Sequence, residues 1–150
     1  MYKRIGAHRV RAAFEALSQG DFVSPLDGVA PDVHHLFPGD NALGGERHSR
    51  DAMERWFKRL HVLFPEISFD IREVSVRGWP WDMRIAVQWI DHGKAADGEP
   101  YKNEGVHWIR IHRGRAVRIH AYLDTEKVTA ALERMGNAGI SEAAAPPITD

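Results

Sequence analysis

The stretch VHWIRIHRGRAVRIHAYLD, residues 106–124, alternates between aliphatic and polar side chains on both sides of one short turn. Alternation with a period of two is typical of a half-buried β-strand. Arg113 and Gly114 form the tight turn that joins two such strands. The stretch therefore predicts an antiparallel hairpin with strands at 106–112 and 116–123.

The same alternation extends upstream of this hairpin. Residues 67–76 predict a long strand with a slip near Glu73, which is what a β-bulge produces, and residues 83–89 predict the next strand. The polar residues 91–100 are expected to form a loop. The second half of the chain thus predicts a four-stranded antiparallel meander.

Helical periodicity dominates the first half and returns at the end. It predicts three N-terminal helices, at 10–17, 24–31 and 49–64, and a C-terminal helix at 125–135, with a short strand at 34–37. Helices segregated from strands indicate an α+β fold. Three helices packed on one face of a strongly bent antiparallel sheet would enclose a cone-shaped cavity, which usually holds a small apolar ligand.

Length and composition limit the possible classes of protein. A chain of 150 residues suits one domain, here 1–136, followed by a flexible tail over 137–150, which is rich in Ala and Pro. The net charge of −1 argues against nucleic-acid binding, and no apolar run is long enough to cross a membrane. There is no cysteine and no signal-peptide pattern, so we expect a cytoplasmic protein.

Two motifs carry a family resemblance. Residues 32–53, DVHHLFPGDNALGGERHSRDAM, and the later 114–117, GRAV, followed by Asp124, resemble the SnoaL-like branch of the NTF2-like superfamily, which includes polyketide cyclases. The resemblance implies an NTF2-like cone, acid–base chemistry without a cofactor, and a homodimer formed through the sheet. Related folds include ketosteroid isomerase, scytalone dehydratase and limonene epoxide hydrolase.

The chain departs from family patterns at several positions. The usual Trp-His pair falls on His35 and Leu36, so the typical pocket histidine is absent or moved by one residue. The Arg-x-Asp pair and the further Asp of the epoxide hydrolases fall on Gly105, His107 and Ala121. These differences argue against the epoxide hydrolase mechanism.

Four residues are the candidates for catalysis. His107 shares a strand face with two isoleucines and is expected to enter the cavity, although a buried histidine satisfied by hydrogen bonds is the alternative. Asp124 could be a second acid–base group, but it is equally suited to cap the last helix. His34 and His35 point to opposite faces of a strand, so only one of them can reach the cavity.

Aromatic and aliphatic residues are the candidates for substrate contact, with core packing as the alternative for the tryptophans. They are Trp56, Trp89, Tyr122, Phe37 and Leu60. No His-Glu-x-x-His or His-x-His cluster is present, so we expect no metal site. The opposite sheet face is amphipathic and suits a dimer surface; it carries Trp108, Arg110, Arg118 and Tyr122.

Two functions follow as hypotheses. The first is a cofactor-independent enzyme, either an isomerase, a cyclase or a lyase of the dehydratase type, that acts on a small apolar carbonyl compound. In this hypothesis His107 and Asp124 transfer the proton, and His34 or His35 polarises the carbonyl or places a water molecule. The second is a non-catalytic ligand-binding or dimeric assembly module that uses the same cavity or the sheet face. The residues leave the substrate, the reaction type and the oligomeric number open.

Overall fold

A computed structural model describes residues 1–150. The α-helices are α1 (Tyr2–Ser18), α2 (Arg50–Leu63) and α3 (Thr125–Asn137), and short 3₁₀-helices span Ser24–Gly28 and Ser141–Ala144. The strands are β1 (Val29–Phe37), β2 (Gly45–Arg47), β3 (Ser68–Trp79), β4 (Asp82–Lys94), β5 (Pro100–His112) and β6 (Arg115–Leu123). The chain is therefore an α+β protein, as its periodicity predicts.

All six strands form one sheet in the order β2-β1-β6-β5-β4-β3. Strand β1 runs parallel to β6, whereas every other neighbouring pair is antiparallel. The predicted bulge in β3 is confirmed, because the pairing with β4 shifts between Ile71 and Glu73. A second shift separates Arg110 from Ile111 on β5. Bulges bend a strand and increase its twist, which helps the sheet curl around the core.

Helix α2 follows its sequence signals closely. The Ser49 hydroxyl accepts a hydrogen bond from the Ala52 amide at 3.1 Å and caps the helix, and Asp51 complements the dipole in the first turn. One face of the helix is buried against the sheet and includes Trp56 and Leu60. Together with α1, this helix covers the concave side of the sheet.

The predicted second N-terminal helix is wrong. Residues 24–28 form only a 3₁₀ turn, and Val29 already pairs with Ala116 of β6. The pairing is interrupted between Val29 and His34, and Pro31 lies inside this interruption, where its missing N–H breaks no ladder bond. Two α-helices, not three, thus precede α3, because long-range pairing with β6 overrides the local spacing.

Half of the predicted loop over 91–100 is strand. Strands β4 and β5 pair continuously as far as Lys94 and Pro100, so only residues 95–99 form the connection. The pairing sets Asp91 opposite Asn103 and Gly93 opposite Tyr101. Polar residues that look like a loop therefore extend the walls of the cavity.

The C-terminal residues lie against the rest of the chain. Ala143 is buried, and Ile140 and Ile148 pack on the core. Arg59 donates hydrogen bonds to the Glu142 carboxylate at 2.8 Å and to the Pro146 carbonyl at 2.7 Å. These contacts favour a docked segment, and the flexibility expected from its composition stays a prediction. As for membranes, none of the helices has the length and apolarity that a membrane span requires.

Candidate functional site

A cavity of about 420 Å³ lies between the concave side of the sheet and helices α1 and α2. Of its 32 lining residues, 24 are hydrophobic, so the cavity favours an apolar ligand. Cavities of this size and character hold small molecules, with a few polar groups that orient them. The chemistry of the site therefore depends on the few polar side chains that reach the wall.

His107 lines the cavity, as the strand parity predicts. The Trp89 indole N–H donates a hydrogen bond of 2.7 Å to its Nδ1. Because an indole N–H can only donate, Nδ1 has no proton and the neutral ring carries its proton on Nε2. Burial also lowers the His107 pKa to about 4. At neutral pH this side chain is therefore a hydrogen-bond donor rather than an imidazolium.

Asp91 on β4 is the only carboxylate that lines the cavity. It is 4% exposed, and burial raises its pKa to about 6. Its Oδ1 has no hydrogen-bond partner. A carboxylate in an apolar wall that ionises near neutral pH has the properties of a catalytic base.

Tyr101 on β5 also lines the cavity. Its hydroxyl accepts a hydrogen bond of 3.0 Å from the Asn103 amide, which also donates to the Asp124 carbonyl at 2.9 Å. Burial and the nearby negative charge of Asp91 both raise the Tyr101 pKa, so the phenol keeps its proton. The hydroxyl can therefore donate to a ligand oxygen.

The two adjacent histidines separate as strand geometry requires. His35 is 2% exposed and lines the cavity, and its Nδ1 has no hydrogen-bond partner. Burial first, and then the positive charge of Arg47, keep the His35 pKa well below its usual range. His34 lies on the other sheet face, where its Nδ1 is 3.2 Å from Nε2 of His120. His35 is thus the cavity imidazole of the pair.

Asp124 lies outside the cavity lining. Its carboxylate caps α3 by accepting hydrogen bonds from the Glu126 amide at 3.1 Å and the Lys127 amide at 3.4 Å. The capping interpretation thus agrees with the geometry, whereas catalysis by Asp124 has no geometric support. The physical reason is that the strand ends at Leu123, and the next residue turns into the helix.

The candidates for substrate contact also divide between the cavity and the opposite face of the sheet. Trp56, Trp89, Phe37 and Leu60 line the cavity, whereas Tyr122 is 56% exposed on the opposite sheet face. The Trp56 indole donates a hydrogen bond of 2.7 Å to the Leu43 carbonyl, which holds its ring in place.

Asp91 is absent from the candidate catalytic residues that the sequence predicts, although the sequence contains a signal for it. Residues 83, 85, 87 and 89 are the inward positions of β4, and the next position with this period is 91. The predicted strand stops at residue 89 only because the following residues become polar. A polar residue at a regular inward position is better interpreted as a side chain that faces the cavity than as part of a loop.

Helices cover a bent six-stranded sheet and enclose an apolar cavity with few polar groups. This arrangement is the NTF2-like fold and defines the class of protein. An NTF2-like protein of unknown function from Burkholderia pseudomallei has a TM-score of 0.74 and 26% identity, over 83% of this chain and 95% of that chain. Bal32a, from a soil-derived mobile gene cassette, also has a TM-score of 0.74, with 15% identity over 85% and 95% of the two chains.

A third solved structure is TerC co-crystallised with polyporic acid, with a TM-score of 0.69 and 18% identity over 85% of this chain and 97% of that chain. No curated protein sequence matches the chain. The family model of the SnoaL-like domain matches residues 10–119. The chain therefore belongs to the SnoaL-like family.

Proposed function

We propose that this protein is a cofactor-independent enzyme that moves a proton on a small, mostly apolar carbonyl compound, as an isomerase, cyclase or dehydratase does. The observation that carries the proposal is Asp91, a buried cavity carboxylate with an unpaired oxygen and a pKa of about 6. It replaces Asp124 as the acid–base group, because only Asp91 faces the cavity.

Each group has a role that follows from its protonation state. The Asp91 carboxylate removes a proton from the carbon next to the carbonyl, and the C–H electron pair moves onto the carbonyl oxygen. The Nε2–H of His107 and the hydroxyl of Tyr101 donate hydrogen bonds to the negative oxygen that develops. Protonated Asp91 then returns the proton to the substrate, so no cofactor or net redox change is needed.

The neutral state of His107 supports this assignment. An imidazole that accepts from Trp89 at Nδ1 cannot act as a base at that nitrogen, whereas its Nε2–H is suited to polarise a carbonyl. His35 is the second imidazole available in the cavity. The neighbour TerC was crystallised with polyporic acid, which supports an organic small molecule as the ligand class.

The test is hydrogen–deuterium exchange at carbon in D₂O, followed by NMR, on small cyclic ketones first selected because they raise the melting temperature. Asp91→Asn should lower the exchange rate by about 10²–10⁴-fold. The wild-type rate should rise with pH and level off above an apparent pKa of about 6, because the base must be ionised. Asp70→Asn, which removes an exposed carboxylate, is the matched control. An Asp91→Asn variant that exchanges at the wild-type rate would refute the proposal.

The non-catalytic ligand-binding module is the second candidate, favoured by the predominantly hydrophobic lining of the cavity. Ketones that raise the melting temperature of the wild type and Asp91→Asn equally, with no exchange in either, would support it.

We also propose a homodimer through the outer sheet face, where Tyr122 is exposed and the Arg77 guanidinium lies 5.7 Å from the Trp108 ring centre. Sedimentation at micromolar concentration would detect that dimer.

A further inference from the structure

Two histidines and a glutamate converge on the outer face of the sheet, away from the cavity. They are His34 on β1, Glu46 on β2 and His48 directly after β2. One possible ligand atom from each residue lies within 4.8 Å of the other two. His34 Nε2 is 3.5 Å from Glu46 Oε1, and the rings of His34 and His48 are stacked with centres 4.8 Å apart.

Strand register explains why these side chains meet. Strand β1 pairs with β2 so that His35 is opposite Arg47 and Leu36 is opposite Glu46. Continuing this antiparallel register by one residue sets His48 opposite His34. Because neighbouring residues alternate between faces, Glu46 and His48 share the outer face with His34, while Arg47 and His35 are buried on the other side.

Further side chains lie beside the histidines on their Nδ1 side. His120 Nε2 is 3.2 Å from His34 Nδ1, and Asp150 Oδ1 is 3.9 Å from His48 Nδ1. The Nε2 of His34 is buried and has no hydrogen-bond partner. Metal-binding histidines commonly have this arrangement, in which a neighbour at one ring nitrogen orients the other toward the ion.

We propose that His34, Glu46 and His48 bind one divalent transition-metal ion of the Zn²⁺ type. Two imidazoles and one carboxylate are a ligand set that Zn²⁺ accepts, with water in the fourth tetrahedral position. With metal–ligand bonds of about 2.0–2.2 Å, tetrahedral ligand atoms are about 3.4 Å apart. The His34–Glu46 distance already matches this spacing. The exposed His48 ring must rotate out of its parallel stack on His34 so that one of its nitrogens points at the same ion.

The bound ion would join β1 to the edge strand β2. It would also attract the C-terminal segment, because Asp150 contacts both the ring and the backbone amide of His48. The site and the cavity lie on opposite faces of the sheet, so the proposal is independent of the proton-transfer chemistry. His34 lies on β1, whereas Glu46 and His48 lie on β2 and directly after it, so no linear sequence motif contains all three residues.

Isothermal titration of the full chain with Zn²⁺, after removal of metals by a chelator, tests the site. We expect one ion per chain, with affinity at least tenfold weaker in both Glu46→Gln and His34→Ala. Glu46 is exposed, so its variant should fold normally even if His34→Ala does not. His92→Ala is the matched control, since His92 is an exposed histidine 3.6 Å from the Asp70 carboxylate, and it should bind Zn²⁺ as the wild type does.

Co²⁺ provides an independent readout, because tetrahedral Co²⁺ absorbs visible light far more strongly than hydrated Co²⁺. The wild type and His92→Ala should show these bands, and Glu46→Gln should lose them. Absence of saturable Zn²⁺ binding, or equal affinity in the wild type and Glu46→Gln, would overturn the proposal and indicate adventitious surface binding only.

Discussion

Among the ionisable side chains in the cavity wall, burial favours the neutral form of both Asp91 and His107. It raises the Asp91 pKa to about 6 and lowers the His107 pKa to about 4. At neutral pH the histidine is therefore uncharged, whereas the carboxylate is ionised in surroundings that stabilise it poorly. A group held in an unfavourable charge state is reactive, and it also lowers the stability of the fold.

Asp91→Asn should stabilise the protein at pH 8. The unfolded chain ionises this carboxyl near pH 3.8 and the folded chain near pH 6, so wild-type stability falls as the pH rises through that range. The two pKa values together imply a cost of up to roughly 3 kcal/mol. Urea unfolding should show a gain of about 1–3 kcal/mol at pH 8 that vanishes below about pH 3, where the carboxyl is protonated in both the folded and the unfolded chain.

The control for this measurement is Asp70→Asn, which removes an exposed carboxylate and should change stability little at either pH. His107 acts with the opposite sign, because its depressed pKa removes stability as the pH falls from about 6.5 to about 4. If Asp91→Asn were no more stable than the wild type at pH 8, Asp91 would not be the poorly solvated base that the proposed function requires.

Element boundaries decide which residues reach the cavity. Strand β4 continues to Lys94, so Asp91 faces inward from a strand, whereas β6 ends at Leu123 and Asp124 becomes the cap of α3. The sequence pattern predicts Asp91 in a loop and leaves Asp124 open between catalysis and capping, so these two boundaries decide the position of both carboxylates. A carboxylate at an N-cap satisfies free helix amides and interacts favourably with the helix dipole.

Replacement of Asp124 separates capping from catalysis. Asp124→Ala should destabilise the protein by about 1 kcal/mol, and Asp124→Ser should recover most of that loss, because serine also caps helices well. The deuterium-exchange rate of folded Asp124→Ser should equal that of the wild type. A well-folded serine variant that loses exchange a hundredfold would instead restore Asp124 as a catalytic group.

At the scale of the whole molecule, the C-terminal segment connects elements that are distant in sequence. The side chain of Arg59 on α2 is nearly buried and donates to Glu142, Pro146 and the Ala42 carbonyl. The Arg55 guanidinium donates to the Thr149 carbonyl at 3.0 Å. The segment therefore lies across α2 and the loop before β2.

Deleting residues 138–150 should lower the free energy of unfolding by about 1–3 kcal/mol, because the apolar area under Ile140, Ala143 and Ile148 becomes exposed. Thermal and urea unfolding measure the loss. Hydrogen exchange of the full chain should show protected amides at Ile140 and Ala143, which donate to the Met135 and Ile140 carbonyls. A truncated chain of unchanged stability would favour the flexible tail that composition predicts.

Local patterns in the sequence were sufficient for several features of this protein. Residue alternation predicts most of β3, the first half of β4, the second half of β5, β6 and the bulge near Glu73, and helical spacing predicts α2 and α3. The motif at 32–53 indicated the SnoaL-like family that the family model confirms. Parity also placed His107 on the cavity face. These features depend on short-range periodicity and capping, which a linear chain displays directly.

Only the tertiary structure decided the remaining features, because they depend on pairing between distant residues. The end of the predicted helix at 24–31 forms the start of β1 because it pairs with β6. The start of the predicted loop at 91–100 belongs to β4, and holds Asp91 in the cavity wall, because it pairs with β5. Burial, which sets the charge states of Asp91 and His107, arises only when α1 and α2 cover the sheet. The meeting of His34 with Glu46 and His48 likewise requires two strands in register.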